Sequence, residues 1–230
     1  MLLPVEGVFS REEIVQLREL LVKASEQGLW QDGRATAGSQ ALLVKQNLQL
    51  DDDADLTRQL SDTVIRRLAG HPLFMSAALP LKIFPPKFNC YQNGGHYGLH
   101  VDSAVMTLPD RSTMRTDVSA TLFLSDADEY EGGELLIETR FGAQPVKLNA
   151  GDMIIYPSDS LHEVTPVTQG QRIASFFWLQ SLVRSPSQRA LLFELDQSIQ
   201  ALSTRLGSGD SEVRRLSHNY HNLMREWAET

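Results

Sequence analysis

The strongest chemical pattern in the chain is Tyr91-Gln92-Asn93-Gly94-Gly95-His96-Tyr97-Gly98-Leu99-His100-Val101-Asp102. His100 and Asp102 are two residues apart, so on an extended backbone both side chains leave the same face. His162, ten residues before Arg172, is the candidate third ligand of a metal. Two histidines and one carboxylate on one face of a metal, with the other positions open, form the facial triad of non-haem Fe(II) oxygenases. The pattern therefore predicts that His100, Asp102 and His162 bind a metal ion.

His96 lies four residues before His100, the spacing that brings two histidines together on a helix. Gly94, Gly95 and Gly98 disfavour a helix in this stretch. We therefore expect His96 to lie behind the ligands or in solvent.

Arg172 opens a predicted strand in which residues 172, 174, 176 and 178 share one face as Arg, Ala, Phe and Trp. An arginine at the head of an otherwise apolar row is costly to bury unless it meets an anion. A dicarboxylate co-substrate would be such an anion, because a guanidinium offers it two parallel hydrogen bonds. An exposed arginine, or an Arg–Asp pair within the protein, is the alternative that the spacing leaves open.

Composition limits the class of protein. The chain has 230 residues, 42% of them hydrophobic, which suits one compact catalytic domain. Its formal net charge of −8 disfavours a nucleic-acid partner. No apolar stretch approaches the roughly 18–20 residues of a membrane span, and the N-terminus lacks the features of a signal peptide. A lone Cys90 forms no internal disulfide, and we expect a cytoplasmic protein.

Short runs of β-branched, aliphatic and aromatic residues, broken by Pro, Gly and Asn, predict an all-β core from about residue 81. Antiparallel strands, about eight in number, suit a double-sheet jelly roll of the cupin kind. Residues 103–116 form a long connection, expected to be a loop that covers the metal with Met106, Met114 and Arg115. The predicted strands include residues 88–91, 118–124, 135–138, 146–148, 153–156, 162–164 and 173–179.

Helices are expected on both sides of this core. Ser10-Arg11-Glu12-Glu13 is a capping box for a helix that ends at Gly28, residues 41–50 are extended, and a second helix ends at Gly70. Ser185-Pro186 begins a third helix, and a last one follows Gly207. The prediction is a mainly β fold with flanking α: an N-terminal support region (1–79), a jelly-roll core (80–182) and a two-helix C-terminal extension (183–230). The tail helices pack on the core or form a homo-oligomer interface.

These residues together resemble the prolyl 4-hydroxylase superfamily of Fe(II)/2-oxoglutarate dioxygenases. The matching pattern is Tyr91-x2-Gly94-x2-Tyr97-x2-His100-x-Asp102, residues 120–126, Glu131-Gly132-Gly133-Glu134, His162 and Arg172. The resemblance is closest to the bacterial PKHD-type hydroxylases, often associated with iron and siderophore uptake, and it extends into the tail at residues 190–196.

The resemblance implies a double-stranded β-helix that binds Fe(2+) through His100, Asp102 and His162. Arg172 would hold the distal carboxylate of 2-oxoglutarate, with Tyr91 as a hydrogen-bonding neighbour. It also implies use of O2 and L-ascorbate, release of succinate and CO2, and a small-molecule or peptidyl substrate. The chain departs from the pattern at Phe123, where prolyl hydroxylases often place a tyrosine, and Thr121 on the same face is the candidate replacement contact to 2-oxoglutarate.

Three other functions fit parts of the sequence. A non-catalytic iron or 2-oxoglutarate sensor would use the same triad and signal through the tail helices. A zinc hydrolase or isomerase on a cupin scaffold would have no need of Arg172, and zinc favours four-coordinate sites. A nucleic-acid demethylase of the same superfamily is disfavoured by the net charge of −8.

Overall fold

Two antiparallel β-sheets form the centre of the protein, and the predicted site residues lie between them. The structure is a computed structural model that describes residues 1–36 and 44–229. Its strands are β1 (Leu3–Val5), β2 (Trp30–Asp32), β3 (Lys45–Gln46), β4 (Leu48–Leu50), β5 (Pro80–Ile83), β6 (Lys87–Tyr91), β7 (His96–His100), β8 (Val105–Thr107), β9 (Thr113–Arg115), β10 (Val118–Phe123), β11 (Tyr130–Gly132), β12 (Leu135–Thr139), β13 (Gly142–Val146), β14 (Met153–Pro157), β15 (His162–Val164), β16 (Val167–Gly170) and β17 (Arg172–Ser181).

The larger sheet has the strand order β1-β14-β10-β17-β6-β4-β2, with β5 also paired to β17, and the smaller sheet has the order β13-β12-β15-β7-β3. Strands β11 and β16 form a separate pair, as do β8 and β9. The first four strands come from residues 1–50, so the predicted N-terminal support region supplies strands to both sheets. Residues 41–43 of the predicted extended segment lie outside the described residues, and the remainder forms β3 and β4 as expected.

The described helices are α1 (Arg11–Glu26), α2 (Asp55–Ala69), α3 (Pro72–Ala78), α4 (Pro186–Leu206) and α5 (Ser211–Trp227), with a short 3-10 helix at Gly33–Thr36. The capping box at the start of α1 is confirmed, because the Ser10 hydroxyl accepts from the Glu13 backbone N–H and the Glu13 carboxylate accepts from Ser10 N–H. Helix α3 was not predicted. Pro72 starts it, and the His71 ring accepts a hydrogen bond from Phe74 N–H as its N-terminal cap. No described helix is long and apolar enough to cross a lipid bilayer.

The alternation of β10 separates the core from the site. Val118, Ala120 and Leu122 belong to the apolar cluster that α1 and α2 form with the larger sheet, whereas Phe123 belongs to a second cluster between the sheets. One face of the larger sheet therefore forms part of the apolar core, and Ser119, Thr121 and Phe123 share the other face. The helices supply their apolar stripes to the first cluster: Ile14, Leu17, Leu21, Ala24, Leu60, Val64 and Leu68.

The tail helices pack on each other and against α3. Leu79, Val183 and Leu192 form a small buried cluster against which residues of α5 pack. The Ser76 hydroxyl of α3 donates to Asp196 Oδ2 of α4 at 2.5 Å. This arrangement agrees with packing on the core, and the homo-oligomer interface stays a prediction.

Residues 103–116 differ from the predicted irregular loop, because β8 and β9 form a hairpin there. A tight turn closes it: Asp110 Oδ1 accepts from Ser112 N–H, and Arg111 has a φ of 67°. Met114 is 1% exposed, and Arg115 is paired with Asp117 at 2.7 Å. Of the three residues predicted to cover the metal, Met106 lines the cavity above it.

Candidate active site

The predicted metal ligands come together at one end of the smaller sheet. His100 ends β7 and His162 begins β15, and the two residues are directly paired across the strands. Asp102 follows β7 by two residues, and His162 Nε2 lies 3.7 Å from Asp102 Oδ2. One ligand atom from each of the three residues lies within 4.8 Å of the others. Two imidazole nitrogens and one carboxylate oxygen suit an octahedral metal with open positions, so these residues fit Fe(II).

Backbone carbonyls orient both imidazoles. His100 Nδ1 lies 2.9 Å from the Gly98 carbonyl oxygen, and His162 Nδ1 lies 3.0 Å from that of Ser160. If each Nδ1–H donates to its carbonyl, each Nε2 is left with a lone pair for a metal. Burial, and then the neighbouring His162, lower the pKa of His100 to about 4, so the ring is neutral at physiological pH. Tyr97 stacks on His100 with the ring centroids 3.6 Å apart and holds the plane of the imidazole.

Ser119 orients the carboxylate ligand. Its hydroxyl lies 2.6 Å from Asp102 Oδ2 and donates to it, and the Ser158 hydroxyl lies 2.9 Å from Ser119 Oγ. All three groups are poorly accessible, so the hydrogen bond is not in competition with bulk water. The sequence analysis did not predict a role for Ser119. The signal available was its position, since it is a polar residue on the face of β10 opposite to that of Val118 and Ala120.

Arg172 is the most deeply buried charge near these ligands. It is 1% exposed and is directly paired with Tyr91 across β17 and β6. Its Cζ lies 5.4 Å from the Tyr91 ring centroid and 5.1 Å from that of Phe123. Within the described residues no carboxylate lies within 4.0 Å of the guanidinium, and its Nε has no hydrogen-bond partner. This excludes the alternative of an exposed arginine or an internal Arg–Asp pair for the described part of the chain.

A buried guanidinium without an anion is unfavourable, so the site fits a ligand carboxylate such as that of 2-oxoglutarate. Two tyrosines, Tyr91 and Tyr130, lie near the Arg172 guanidinium. Burial raises the pKa of Tyr91 to about 12 against the opposing charge of Arg172, and the hydroxyl therefore remains a proton donor. Burial also raises the pKa of Tyr130, and the nearby charge of Arg172 opposes that rise.

Thr121 lies on the same face as Phe123 and is 6% exposed. Burial and the negative charge of Asp102 raise the pKa of Tyr156 well above its ordinary value. A hydrogen bond with the Thr121 hydroxyl opposes that rise. The structure thus places Thr121 beside Tyr156, next to the predicted metal ligands. His96 is not among the ligands, and its Nδ1 lies 3.1 Å from the Gly94 carbonyl.

An open cavity of about 480 Å³ lies over the three ligands. Its lining includes residues of both sheets and of the segment that follows β7. Aromatic side chains form one part of this lining: Phe84 and Phe176 each meet Trp178 edge to face with ring centroids 5.6 Å apart. The cavity is large enough for a small molecule or a short chain segment beside the metal.

The comparisons with known proteins agree with this geometry. Residues 86–180 match the 2OG-Fe(II) oxygenase superfamily, so fold and site define a 2-oxoglutarate- and iron-dependent oxygenase. Residues 187–229 match the PKHD-type hydroxylase C-terminal domain. A PKHD-type hydroxylase of Pseudoalteromonas atlantica is 60% identical over 229 residues, which cover 99% of each chain. The chain belongs to the PKHD-type hydroxylases, and the predicted family and enzyme class are confirmed.

Solved structures show the same fold at low identity. A Pseudomonas putida prolyl-4-hydroxylase is 18% identical, with a TM-score of 0.55 over 78% of this chain and 92% of that one. HygX from Streptomyces hygroscopicus, solved with nickel, 2-oxoglutarate and hygromycin B bound, is 16% identical, with a TM-score of 0.55 over 78% of this chain and 82% of that one. The predicted mainly β jelly-roll class with flanking helices is therefore confirmed.

Proposed function

We propose that this chain hydroxylates a substrate C–H bond at an iron held by His100, Asp102 and His162. The observation that carries the proposal is the cluster of three ligand atoms within 4.8 Å of one another, beneath an open cavity and near a buried Arg172 that has no carboxylate partner among the described residues. Iron when bound supplies the activation of O2, coupled to oxidative decarboxylation of 2-oxoglutarate to succinate and CO2, with the second oxygen atom entering the substrate.

The chain's own residues bind and orient the reactants. Arg172 binds the distal carboxylate of 2-oxoglutarate through its guanidinium, and the Tyr91 phenol donates a hydrogen bond to the same carboxylate. Ser119 fixes Asp102, and Tyr97 fixes the plane of His100. In HygX a nickel ion and 2-oxoglutarate occupy the same fold, which supports a metal and this co-substrate here. Thr121 is proposed to contact 2-oxoglutarate in place of the hydroxyl that Phe123 lacks.

Other parts of the proposal rest on the resemblance to PKHD-type hydroxylases. They are the use of L-ascorbate to keep iron ferrous, a role in iron or siderophore uptake, and a cytoplasmic setting without a nucleic-acid or membrane partner. The division into a core at 80–182 and an extension at 183–230 belongs to the same proposal. The alternative of a non-catalytic sensor has less support, since a cavity of about 480 Å³ beside the ligands leaves room for a substrate.

The test is anaerobic addition of Fe(II) and 2-oxoglutarate to the metal-free protein. We expect the weak visible charge-transfer band of a keto acid that chelates ferrous iron, and its loss in Asp102→Ala, because that variant removes a ligand. An Asp102→Ala protein that keeps both stoichiometric iron and substrate-dependent succinate release would refute the ligand assignment. Iron binding without the band in the wild type would instead favour the sensor or a hydrolase.

A further inference from the structure

A set of buried polar side chains lines one part of the cavity. We call it the polar wall, and it consists of Lys45, Asn47, Gln49 and Asn89. Asn89 is paired with Gln49 across β6 and β4. The wall therefore lies on β6 and β4 of the larger sheet, and Lys45 adds β3, the edge strand of the smaller sheet.

Lys45 is a buried cation without an anion. It is 8% exposed, its Nζ donates to Gln49 Oε1 at 3.2 Å, and it lies 5.4 Å from the centroid of the Tyr97 ring. No carboxylate of the described residues lies within 4.0 Å of its Nζ. Residues 37–43 and Thr230, which are outside the described part, include neither Asp nor Glu. Burial, and then the charge of Lys87, lower its pKa to about 8, so Lys45 is mostly protonated at neutral pH.

The other cations near the cavity have a partner or a role. Lys87 forms an ion pair with Asp52. Arg172 lies behind the Tyr91 and Phe123 rings, where it fits the distal carboxylate of 2-oxoglutarate. Because the other carboxylate of 2-oxoglutarate chelates the metal, the co-substrate has no third carboxylate for Lys45. Asn89 Oδ1 adds a buried acceptor with no hydrogen-bond partner among the described residues.

We propose that the polar wall recognises the substrate of this hydroxylase, and that Lys45 binds a carboxylate group of that substrate. The inference rests on the proposed function, since it assigns the substrate class of the same site. Asn89 Oδ1 accepts a hydrogen bond from an N–H or O–H of the substrate, and the aromatic group of Phe84, Phe176 and Trp178 contacts its apolar part. The recognised compound is thus an organic acid with a hydrogen-bond donor and an apolar portion.

The test uses the protein loaded with Ni²⁺ and saturating 2-oxoglutarate, so that no turnover occurs. Three matched pairs of acid and amide serve as probes in calorimetric titrations: benzoate and benzamide, hippurate and hippuramide, and N-benzoyl-β-alanine and its amide. We expect at least one acid to bind about tenfold more tightly than its amide, as a charge-assisted hydrogen bond gives. Lys45→Met should abolish that preference and Lys45→Arg should keep it. Lys87→Met, which removes a cation already paired with Asp52, should change it less than threefold.

The affinity for 2-oxoglutarate, read from the charge-transfer band of the Fe(II) protein, should stay within twofold in Lys45→Met. Equal binding or no binding of acid and amide in all three pairs would overturn the proposal, as would a preference that survives Lys45→Met. A tenfold loss of 2-oxoglutarate affinity in Lys45→Met would place Lys45 in the co-substrate pocket and also overturn it. Absence of the band in the wild type would refute the proposed function itself, so the two failures are distinguishable.

Discussion

Replacing Arg172 with methionine should have opposite effects on ligand binding and on stability. Arg172 is 1% exposed and has no carboxylate within 4.0 Å among the described residues. Removing one partner of a buried charge pair costs about 3–5 kcal/mol, so 2-oxoglutarate should bind roughly 10²- to 10³-fold more weakly. Without the ligand, the same change removes an uncompensated buried charge and should stabilise the protein by about 1–3 kcal/mol. Each kcal/mol corresponds to a Tm increase of about 2–4 °C in a chain of this size.

Arg189→Met is the matched control. Arg189 is also buried, at 4% exposure, but its guanidinium is hydrogen-bonded to the backbone. Its guanidinium donates to the carbonyl oxygens of Val183 at 2.7 Å, Arg184 at 2.8 Å and Asp117 at 3.3 Å. Removing these donors leaves at least the buried Val183 carbonyl without this partner, at a cost of about 1–3 kcal/mol. Arg189→Met should therefore lower the Tm and leave the affinity for 2-oxoglutarate unchanged.

Two measurements decide the comparison: anaerobic titration of the Fe(II) protein with 2-oxoglutarate, and thermal unfolding of the metal-free, ligand-free protein. If Arg172→Met lowered the Tm as Arg189→Met does and kept the wild-type affinity, Arg172 would be a structural cation. The assignment of the buried guanidinium to the co-substrate would then be wrong.

Three further changes test the site. Ser119→Ala removes the hydrogen bond to Asp102 and should weaken Fe(II) binding about 10-fold, measured by competition with a chelator. Gly133→Ala should weaken 2-oxoglutarate binding about 10-fold in the same band titration, because its Cβ would lie 2.8 Å from Val167 Cγ2, 3.0 Å from Tyr130 Cε2 and 3.1 Å from Arg172 Cδ, so the side chains around the guanidinium must shift. Between pH 8 and pH 10.5, native Lys45 has lost the proton that the unfolded chain still holds, so the stability of the wild type relative to Lys45→Met should rise with pH. The rise should be on the order of 2–3 kcal/mol in denaturant unfolding.

Each of these variants has a control of the same chemistry. Ser125→Ala removes a buried hydroxyl that accepts from Ile173 N–H, so it should reduce stability without a change in Fe(II) affinity. Gly142→Ala adds a Cβ at a φ of 96° with no atom within 4 Å. It should lower stability through backbone strain and leave the affinity for 2-oxoglutarate unchanged. Lys23→Met removes an exposed lysine and should give no rise between pH 8 and pH 10.5. A shared response of variant and control would contradict the corresponding prediction.

Local patterns in the sequence were sufficient to place His100 and Asp102 together and to predict several elements. The prediction that His100 and Asp102 share a face follows from the alternation of side chains along an extended chain. The capping box of α1 follows from residues within one helical turn. His162 required a further step, since its pairing with His100 depends on how β15 meets β7. His162 was selected by its position ten residues before Arg172, and the resemblance to a known family implied the same residue.

The parts that sequence reasoning missed depend on contacts between distant segments. Ser119 is 17 residues from Asp102, and only the approach of β10 to the end of β7 gives its hydroxyl a partner. Residues 103–116 were read as irregular because β8 and β9 are short and the Pro109-Asp110 turn signal was not used. Helix α3 was missed because it is only seven residues long and follows directly on the predicted helix end at Gly70, within the segment assigned to the N-terminal support region.

Lys45 shows why the overall charge does not describe the site. The net charge of −8 opposes a long polyanion, since such a ligand is attracted or repelled by the whole surface. A small anion in a cavity responds mainly to the cations that line it, because buried charges are screened less than exposed ones. Here Lys45 and Arg172 are both buried and have no carboxylate within 4.0 Å among the described residues. An acidic protein can therefore present two anion sites, and two are needed if one takes the co-substrate and the other takes an acidic substrate.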